Sequence, residues 1–261
     1  MADPGEALPA RSALLFRLVG GYLHWYFWRR FRAVRVAWAG LPSLPAGRPV
    51  IVYGNHPSWW DPVFYMLLSS RLFPGRLGYG PMDAAALGRY GVLARMGVFG
   101  IEPGTARGAA RFLRVGRRVL AEPGGMLWIT AEGGFADPRI RPLRLRPGLA
   151  HLARLVPDAV ILPLALEYGF WNESRPEALA RFGAPVLPKA GRSVAEWTAL
   201  LDAALCATMD ALADDSAARD PARFRTLVRG GVGVGGIYDL WRRLWSWARV
   251  RRFDASHGGR E

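Results

Sequence analysis

The sequence predicts an α/β fold in which a mostly parallel or mixed central sheet is flanked by helices. Short apolar runs, each about the length of a buried strand, alternate with segments whose apolar residues recur every three or four positions. The chain has 261 residues, 51% of them hydrophobic, which is enough for one sizeable domain with its own core. Segments near both ends combine arginine with aromatic residues, and they predict amphipathic N- and C-terminal helices.

The predicted elements follow one another along the chain. Candidate strands are residues 50–53, 98–101, 126–130, 160–166 and, with the weakest pattern, 182–186. Candidate helices are residues 62–73, 106–120, 148–155 and 193–212. Proline- and glycine-rich stretches mark the boundaries of three parts. These parts are an N-terminal helical segment at 1–40, a central domain at 41–222, and a glycine-rich linker with a basic amphipathic helix at 223–261.

The net charge of the chain indicates which classes of molecule it can bind. Thirty-five basic residues against 21 acidic ones give a net charge of +14, and Lys189 is the only lysine. Such a surface attracts anions, but no helix-turn-helix, zinc-finger or RNA-binding signature accompanies the arginines, so no nucleic-acid partner is expected. Eleven tryptophans favour the interface of an anionic membrane instead. The single cysteine, Cys206, excludes an internal disulfide and a cysteine-based metal site.

Residues 11–38 carry six arginines and no acidic residue, interleaved with leucines and aromatic side chains. Their uncharged run is much shorter than the about 20 apolar residues that span a bilayer. Two interpretations remain open for this segment, and for the similar helix expected after residue 237. The helix either lies in a membrane interface or packs its aromatic side on the domain and exposes its arginines to water.

The most informative segment is residues 54–62, Gly-Asn-His-Pro-Ser-Trp-Trp-Asp-Pro, directly after the first strand. Asp61 before Pro62 has the pattern of a helix N-cap, where backbone N–H groups and the helix dipole keep a carboxylate ionised. The short loop brings His56 back toward Asp61, which can orient one imidazole nitrogen and leave the other free as a general base. The alternative is a simple cap beside a hydrogen-bonded loop histidine.

Four segments together resemble one known family. The first is an Asn-His pair followed by four residues and Asp, and the others are residues 97–101, 132–133 and 160–164. In this order and spacing the chain resembles the glycerolipid acyltransferases, which include the 1-acyl-glycerol-3-phosphate acyltransferases. The residues that carry the resemblance are Asn55, His56, Asp61, Phe99, Ile101, Glu132, Gly133 and Pro163.

The resemblance implies O-acyl transfer from acyl-CoA or acyl-carrier protein to a hydroxyl of a lipid acceptor, with no metal or other cofactor. His56 would take the hydroxyl proton, and Asp61 would orient the imidazole. The backbone near Gly133 and Gly134 would contact the acceptor or the oxyanion. A lipid acceptor would then be its partner. Together with the lone cysteine and the basic aromatic segments, which are too short to span a bilayer, we expect a peripheral or monotopic protein on the cytoplasmic face of a membrane.

Two positions depart from the family pattern. Pro103 and Phe135 stand where relatives carry arginines that hold the phosphate of the acceptor. Arg107 and either Arg139 or Arg141 are the candidate replacements. Because bidentate arginines grip phosphate, their loss predicts an acceptor other than lysophosphatidate. The alternatives are acylation of a sugar hydroxyl on a glycolipid or glycosylated isoprenoid, and a non-catalytic membrane-surface adaptor.

Overall fold

The computed structural model describes residue 8 and residues 11–42, 44–45, 47–187 and 191–231. Its centre is a mixed eight-stranded sheet with helices on both faces, so the predicted α/β fold is confirmed. The predicted C-terminal helix lies outside the described residues.

The strands and helices alternate along most of the chain. The strands are β1 (Ala33–Ala37), β2 (Val50–Gly54), β3 (Leu77–Asp83), β4 (Val98–Ile101), β5 (Gly125–Thr130), β6 (Val160–Gly169), β7 (Glu177–Phe182) and β8 (Phe224–Arg229). The α-helices are α1 (Ala13–Arg30), α2 (Asp61–Leu72), α3 (Ala84–Arg89), α4 (Ala106–Ala121), α5 (Gly148–Leu155) and α6 (Val194–Ala218).

The strand order is β4-β3-β5-β2-β6-β7-β1-β8, which places β2 near the middle of the sheet. Strand β2 pairs in parallel with β5 and β6, and every residue of β2 is buried. Strand β7 runs antiparallel to β6, and β8 runs antiparallel to β1. Two cores cover the faces, one beneath α1 and α2 and the other beneath α4, α5 and α6. The parallel centre brings the carboxyl ends of β2, β5 and β6 to one edge.

The N-terminal helix is shorter than predicted, and the prediction is wrong only for the residues after Arg30. Ser12 caps α1, which ends at Arg30, and residues Ala33–Ala37 then form β1 between β7 and β8. Arg35 suggested a solvated helix face, but its guanidinium donates to Glu177 at 3.0 Å inside the protein. This ion pair lets an arginine occupy a buried strand, because a charge without a partner would be strongly destabilised there.

Three elements differ from the sequence prediction because their residues give weak or misleading signals. Strand β3 contains Gly78, Gly80 and Pro81, residue types that are depleted from strands, and it was not predicted. Strand β7 ends at Phe182, where the predicted strand began, and Val186 forms only an isolated bridge with Ile161. Strand β8 lies within the predicted linker. The sheet therefore uses strands from both sides of residues 41–222.

Among the described residues, no helix combines the length and apolar character needed to cross a membrane.

Candidate active site

The site forms where the chain leaves β2. Gly54 ends the strand, and a Cβ atom at this position would lie 2.5 Å from the Tyr65 hydroxyl oxygen and 2.7 Å from the Leu164 carbonyl oxygen. Only glycine allows so close an approach. The chain can therefore turn at once and place His56 above the carboxyl edge of the parallel strands, where α/β sheets bind their ligands.

His56 and Asp61 form a pair across this turn. Nδ1 of His56 lies 2.7 Å from Oδ2 of Asp61, and the Asp61 side chain is fully buried while His56 remains partly accessible. The carboxylate therefore engages one ring nitrogen and fixes the plane of the imidazole. This arrangement leaves Nε2 as the nitrogen available to a substrate.

Asp61 has two further hydrogen-bond donors. The Ser58 backbone N–H donates to Oδ2 at 3.0 Å, and the Tyr168 hydroxyl donates to Oδ1 at 2.7 Å. Burial, together with the charge of Asp61, raises the pKa of Tyr168 well above its usual value, so this phenol stays protonated and remains a donor. Asp61 is therefore not the N-cap that its sequence position predicted, since Trp60 is the cap residue and the carboxylate bonds to groups outside α2.

The loop after β5 closes over His56. Oε2 of Glu132 accepts a long bond of 3.4 Å from the His56 backbone N–H, and the Ala136 N–H donates to the His56 carbonyl at 3.0 Å. Gly133 adopts a left-handed φ of +68° in this turn, and its Cα faces the side chain of Arg146. Burial raises the pKa of Glu132. Both backbone polar groups of His56 are thus held by the same loop.

Phe135 lies directly against the imidazole. The two ring centroids are 4.4 Å apart with an interplanar angle of 39°, and Phe135 is 66% exposed. The imidazole therefore has an exposed aromatic ring as its neighbour.

A family model described as Acyltransferase matches residues 35–167, which include His56, Asp61 and Glu132. The chain belongs to the Acyltransferase family. The family predicted from the four motifs is therefore confirmed, and the protein is an acyltransferase enzyme.

Among solved structures, this acyltransferase is similar to the 1-acyl-sn-glycerophosphate (LPA) acyltransferase PlsC from Thermotoga maritima. The TM-score is 0.55 at 15% sequence identity, and the match covers 77% of this chain and 79% of that one. At this identity the likeness concerns the fold. No curated protein sequence gives a significant match.

Asn55 of the acyltransferase lies beside His56 but is only 1% exposed. Its side-chain amide donates to the Leu166 carbonyl at 3.0 Å and accepts from the Leu166 N–H at 2.8 Å. These two bonds join the loop to β6. Because both ends of its amide are engaged within the protein, Asn55 positions the loop, and its predicted contact with substrate stays a prediction.

The predicted residues on β4 do not meet the His56 site. Strand β4 is separated from β2 by β3 and β5, which amounts to about 14 Å at the usual strand spacing. Phe99 is buried, and Ile101 lines a cleft of about 410 Å³ between α3 and α4. Pro163 is buried in β6 opposite Tyr53. These side chains support the sheet around the site or line a separate cleft, so the structure does not bring them into contact with His56.

Two of the three candidate replacement arginines, Arg107 and Arg139, are exposed to solvent. The side chain of Arg107 is 85% exposed and lies 4.0 Å from Glu102, and that of Arg139 is 88% exposed and bonds to Asp137 at 2.6 Å. Gly133 and Gly134 remain in the loop over His56, with Gly134 exposed. Within the described ranges, no cluster of three or more His, Cys, Asp or Glu side chains is arranged to hold a metal ion.

Sequence reasoning missed Tyr168 and the contact of Phe135 with His56. Tyr168 lies two residues beyond the predicted end of its strand, and its bond to Asp61 connects positions 107 residues apart. The only available signal was the apolar run of residues 160–166, which would have had to be extended to include Tyr168. In the sequence, Phe135 stood out only because relatives carry an arginine at this position, and no contact of its aromatic ring was predicted.

Proposed function

We propose that the enzyme transfers a fatty acyl group from acyl-CoA or acyl-carrier protein to a hydroxyl of a lipid acceptor, with His56 as the general base. The observation that carries this proposal is the 2.7 Å contact between His56 Nδ1 and the buried carboxylate of Asp61. It leaves Nε2 free on the exposed side of a rigidly held ring. The family membership supports acyl transfer as the reaction class.

In the proposed reaction, Nε2 of His56 removes the proton of the acceptor hydroxyl while the oxygen attacks the thioester carbonyl carbon. A tetrahedral oxyanion forms, and its collapse breaks the carbon–sulfur bond. The proton held by His56 then passes to the departing thiolate sulfur, so neutral imidazole is regenerated. Asp61 stabilises the transient imidazolium without accepting its proton, as in other carboxylate–histidine pairs.

The base accounts for only part of the catalysis. A positioned general base typically contributes roughly 10²–10⁴-fold, so the remainder must come from substrate alignment and from donors to the oxyanion. The backbone N–H of Gly134 is our candidate for such a donor, because its loop is tied to His56 through Glu132 and Ala136. The Gly133 N–H, which the sequence also suggested, already donates to the Thr130 carbonyl at 3.1 Å. No covalent enzyme intermediate is required.

The surface of α1 supports a lipid acceptor held at a membrane. Five large apolar residues recur at spacings of three or four along α1 and are 46–64% exposed: Leu14, Leu18, Tyr22, Trp25 and Trp28. We call these five residues the α1 stripe. Arg17, Arg29 and Arg30 are exposed beside it. Aromatic side chains next to arginines suit the interface of an anionic bilayer.

Helix α1 packs against the loop between β2 and α2, which carries His56 and which we call the catalytic loop. On the inner side of α1, the rings of Tyr26, Phe27 and Phe31 lie 5.1, 5.5 and 4.8 Å from the ring of Trp60, which precedes Asp61. The neighbouring Trp59 is 62% exposed. A helix anchored on the cytoplasmic face of a membrane would therefore hold the entrance of the site near lipid hydroxyls.

The test is release of free thiol from an acyl thioester in the presence of a mixed lipid extract. We expect His56→Ala to lower acceptor-dependent turnover at least 100-fold, while His151→Ala, which changes an exposed histidine of α5, leaves it unchanged. Wild-type protein without turnover would instead indicate a non-catalytic adaptor. A His56→Ala variant with full activity would exclude His56 as the base.

A further inference from the structure

We infer that Phe135 selects a neutral, carbohydrate-type hydroxyl acceptor and disfavours an acceptor that carries a phosphate monoester. The inference rests on the proposed function, because it assumes that the acceptor hydroxyl approaches Nε2 of His56. It adds the chemical class of the acceptor and the side chain that recognises it.

The position of Phe135 makes it a surface for the acceptor. Its ring contacts the imidazole at 4.4 Å between centroids, yet two thirds of the residue remains exposed. Nδ1 of His56 is occupied by Asp61, so a hydroxyl must approach the other side of the ring. The carbon skeleton next to that hydroxyl then lies beside the Phe135 ring.

The chain on both sides of Phe135 is bonded to His56. The next residue, Ala136, donates its N–H to the His56 carbonyl at 3.0 Å, and Glu132 on the other side of Phe135 accepts from the His56 N–H at 3.4 Å. These bonds anchor both flanks of the short segment to the histidine. The backbone of Phe135 is therefore held close to His56, which keeps its ring within reach of the imidazole.

The face of an aromatic ring carries partial negative charge and its apolar surface donates no hydrogen bond. A phosphate monoester placed against it would give up water without gaining donors, which is unfavourable. The aliphatic C–H groups of a sugar ring lose little water and gain van der Waals contact there. The ring thus favours a neutral acceptor with a C–H face.

Nearby arginines that might hold a phosphate have other partners. Arg139 bonds to Asp137 at 2.6 Å, and Arg141 bonds to Asp210 at 2.7 Å. Arg146 is the main competitor, because its Cγ and Nε atoms would both lie 3.1 Å from a Cβ atom placed on Gly133. The experiment therefore includes the variant Arg146→Ala.

The experiment offers the purified 261-residue chain equal amounts of lysophosphatidate and a monohexosyl diacylglycerol in vesicles, with one acyl-CoA as donor. We expect wild-type protein to acylate the glycolipid at least tenfold faster. Phe135→Ala should lower kcat/KM for the glycolipid roughly 3- to 10-fold, while Phe135→Trp should retain it. Acyl-CoA hydrolysis without acceptor is measured for each variant, so that a loss specific to the glycolipid is distinguished from a general loss of thioester turnover. Tyr90→Ala, which removes another exposed aromatic ring, is the matched control.

Several outcomes would overturn the inference. One is preference for lysophosphatidate, above all if Arg146→Ala abolishes it. Others are an equal loss with both acceptors in Phe135→Ala, no loss with the glycolipid, or use of neither acceptor while His56-dependent hydrolysis persists. Failure of the proposed function has a different signature, which is absence of thioester turnover in the wild type or full turnover in His56→Ala.

Discussion

The hydroxyl of Tyr168 lies 2.7 Å from Oδ1 of Asp61, so a strand residue supports the carboxylate that orients His56. Asp61 uses its other oxygen for His56 and for the Ser58 N–H. The catalytic loop is therefore attached to β6 as well as to α2. This attachment explains how a carboxylate that lies entirely out of water remains an acceptor, since three donors surround it.

Replacing Tyr168 by Phe should lower kcat about tenfold with little change in KM. The variant removes one donor to a charged acceptor, a bond that typically contributes about 1.5–3 kcal/mol, and so weakens the hold of Asp61 on His56. Steady-state kinetics at saturating acyl-CoA measure this. Tyr90→Phe, which removes an exposed hydroxyl, is the control. A kcat equal to that of the wild type would show that Tyr168 serves only packing.

His56 and Asp61 should behave as one unit. We expect His56→Ala and Asp61→Asn each to lose roughly 10²–10⁴-fold in kcat, and the double variant to lose no more than the more damaging single one. The physical reason is that Asp61 acts only through the imidazole it orients. Single-turnover rates of the three variants decide the question, with circular dichroism as a check on folding. Losses that multiply would contradict the pairing.

The site was more predictable than the sheet around it because its residues are close in sequence. His56 and Asp61 are joined by a short loop after an evident apolar strand, so local reasoning could place them together. Tyr168 and Phe135 reach the same site from distant segments, and their contacts depend on the register of β6 beside β2 and on the fold of the loop after β5. Neither contact can be predicted from the sequence pattern of the segment that contains the residue.

The strands that were missed show how tertiary contacts override local propensity. Strand β1 follows a basic helix and contains Arg35, whose buried partner Glu177 is 142 residues away. Strand β3 contains two glycines, and a Cβ atom at Gly78 would lie 2.9 Å from the Ser69 hydroxyl oxygen, so close packing against α2 requires glycine there. In both cases the residue that weakens the local signal is the one that the packing needs.

Asn55→Ala should reduce stability as well as activity. The substitution leaves the N–H and carbonyl of Leu166 without their side-chain partner in a buried region, and we expect the free energy of unfolding to fall by about 2–4 kcal/mol. Urea unfolding followed by tryptophan fluorescence measures the loss. Asn172→Ala, at an exposed asparagine, is the matched control. Equal midpoints for the two variants would show that the buried amide is dispensable.

Glu132→Gln should change how stability depends on pH. Burial raises the pKa of Glu132 above its ordinary value of 4.5, so folding disfavours the ionised form, and the wild type loses stability as the pH rises through the interval between the two values. The neutral side-chain amide of the variant has no charge to bury, so its stability does not fall in this way. The Tm of the variant should therefore exceed that of the wild type near pH 7, and the difference should shrink as the pH falls below 4.5.

Thermal scans at several pH values between acid and neutral measure this difference. Glu102→Gln, which removes a half-exposed carboxylate elsewhere, controls for the loss of one negative charge. A Tm difference that stays constant with pH would mean that the bond from the His56 N–H, rather than burial of the charge, determines the effect of Glu132.

The α1 stripe should bind anionic vesicles through two separable contributions. Insertion of apolar side chains is insensitive to salt, whereas each arginine near the surface contributes on the order of 1 kcal/mol that salt screens. We expect Leu18→Ser/Trp25→Ser to lower partition into anionic vesicles tenfold or more at every salt concentration, because each side chain contributes about 1.5–3 kcal/mol when fully buried in an apolar phase. Arg17→Gln/Arg29→Gln should lower it mainly at low salt.

Flotation with vesicles of graded anionic lipid content separates the two contributions. Trp38→Ser/Leu155→Ser is the matched control, since both side chains are exposed to a similar extent but lie outside α1. If the control weakens binding as much as the stripe variant does, the protein has no preferred membrane face. Salt screening must weaken any contact that depends on the charge of the arginines. If binding does not change with anionic lipid content or salt concentration, the arginines beside the α1 stripe therefore do not contribute to membrane binding.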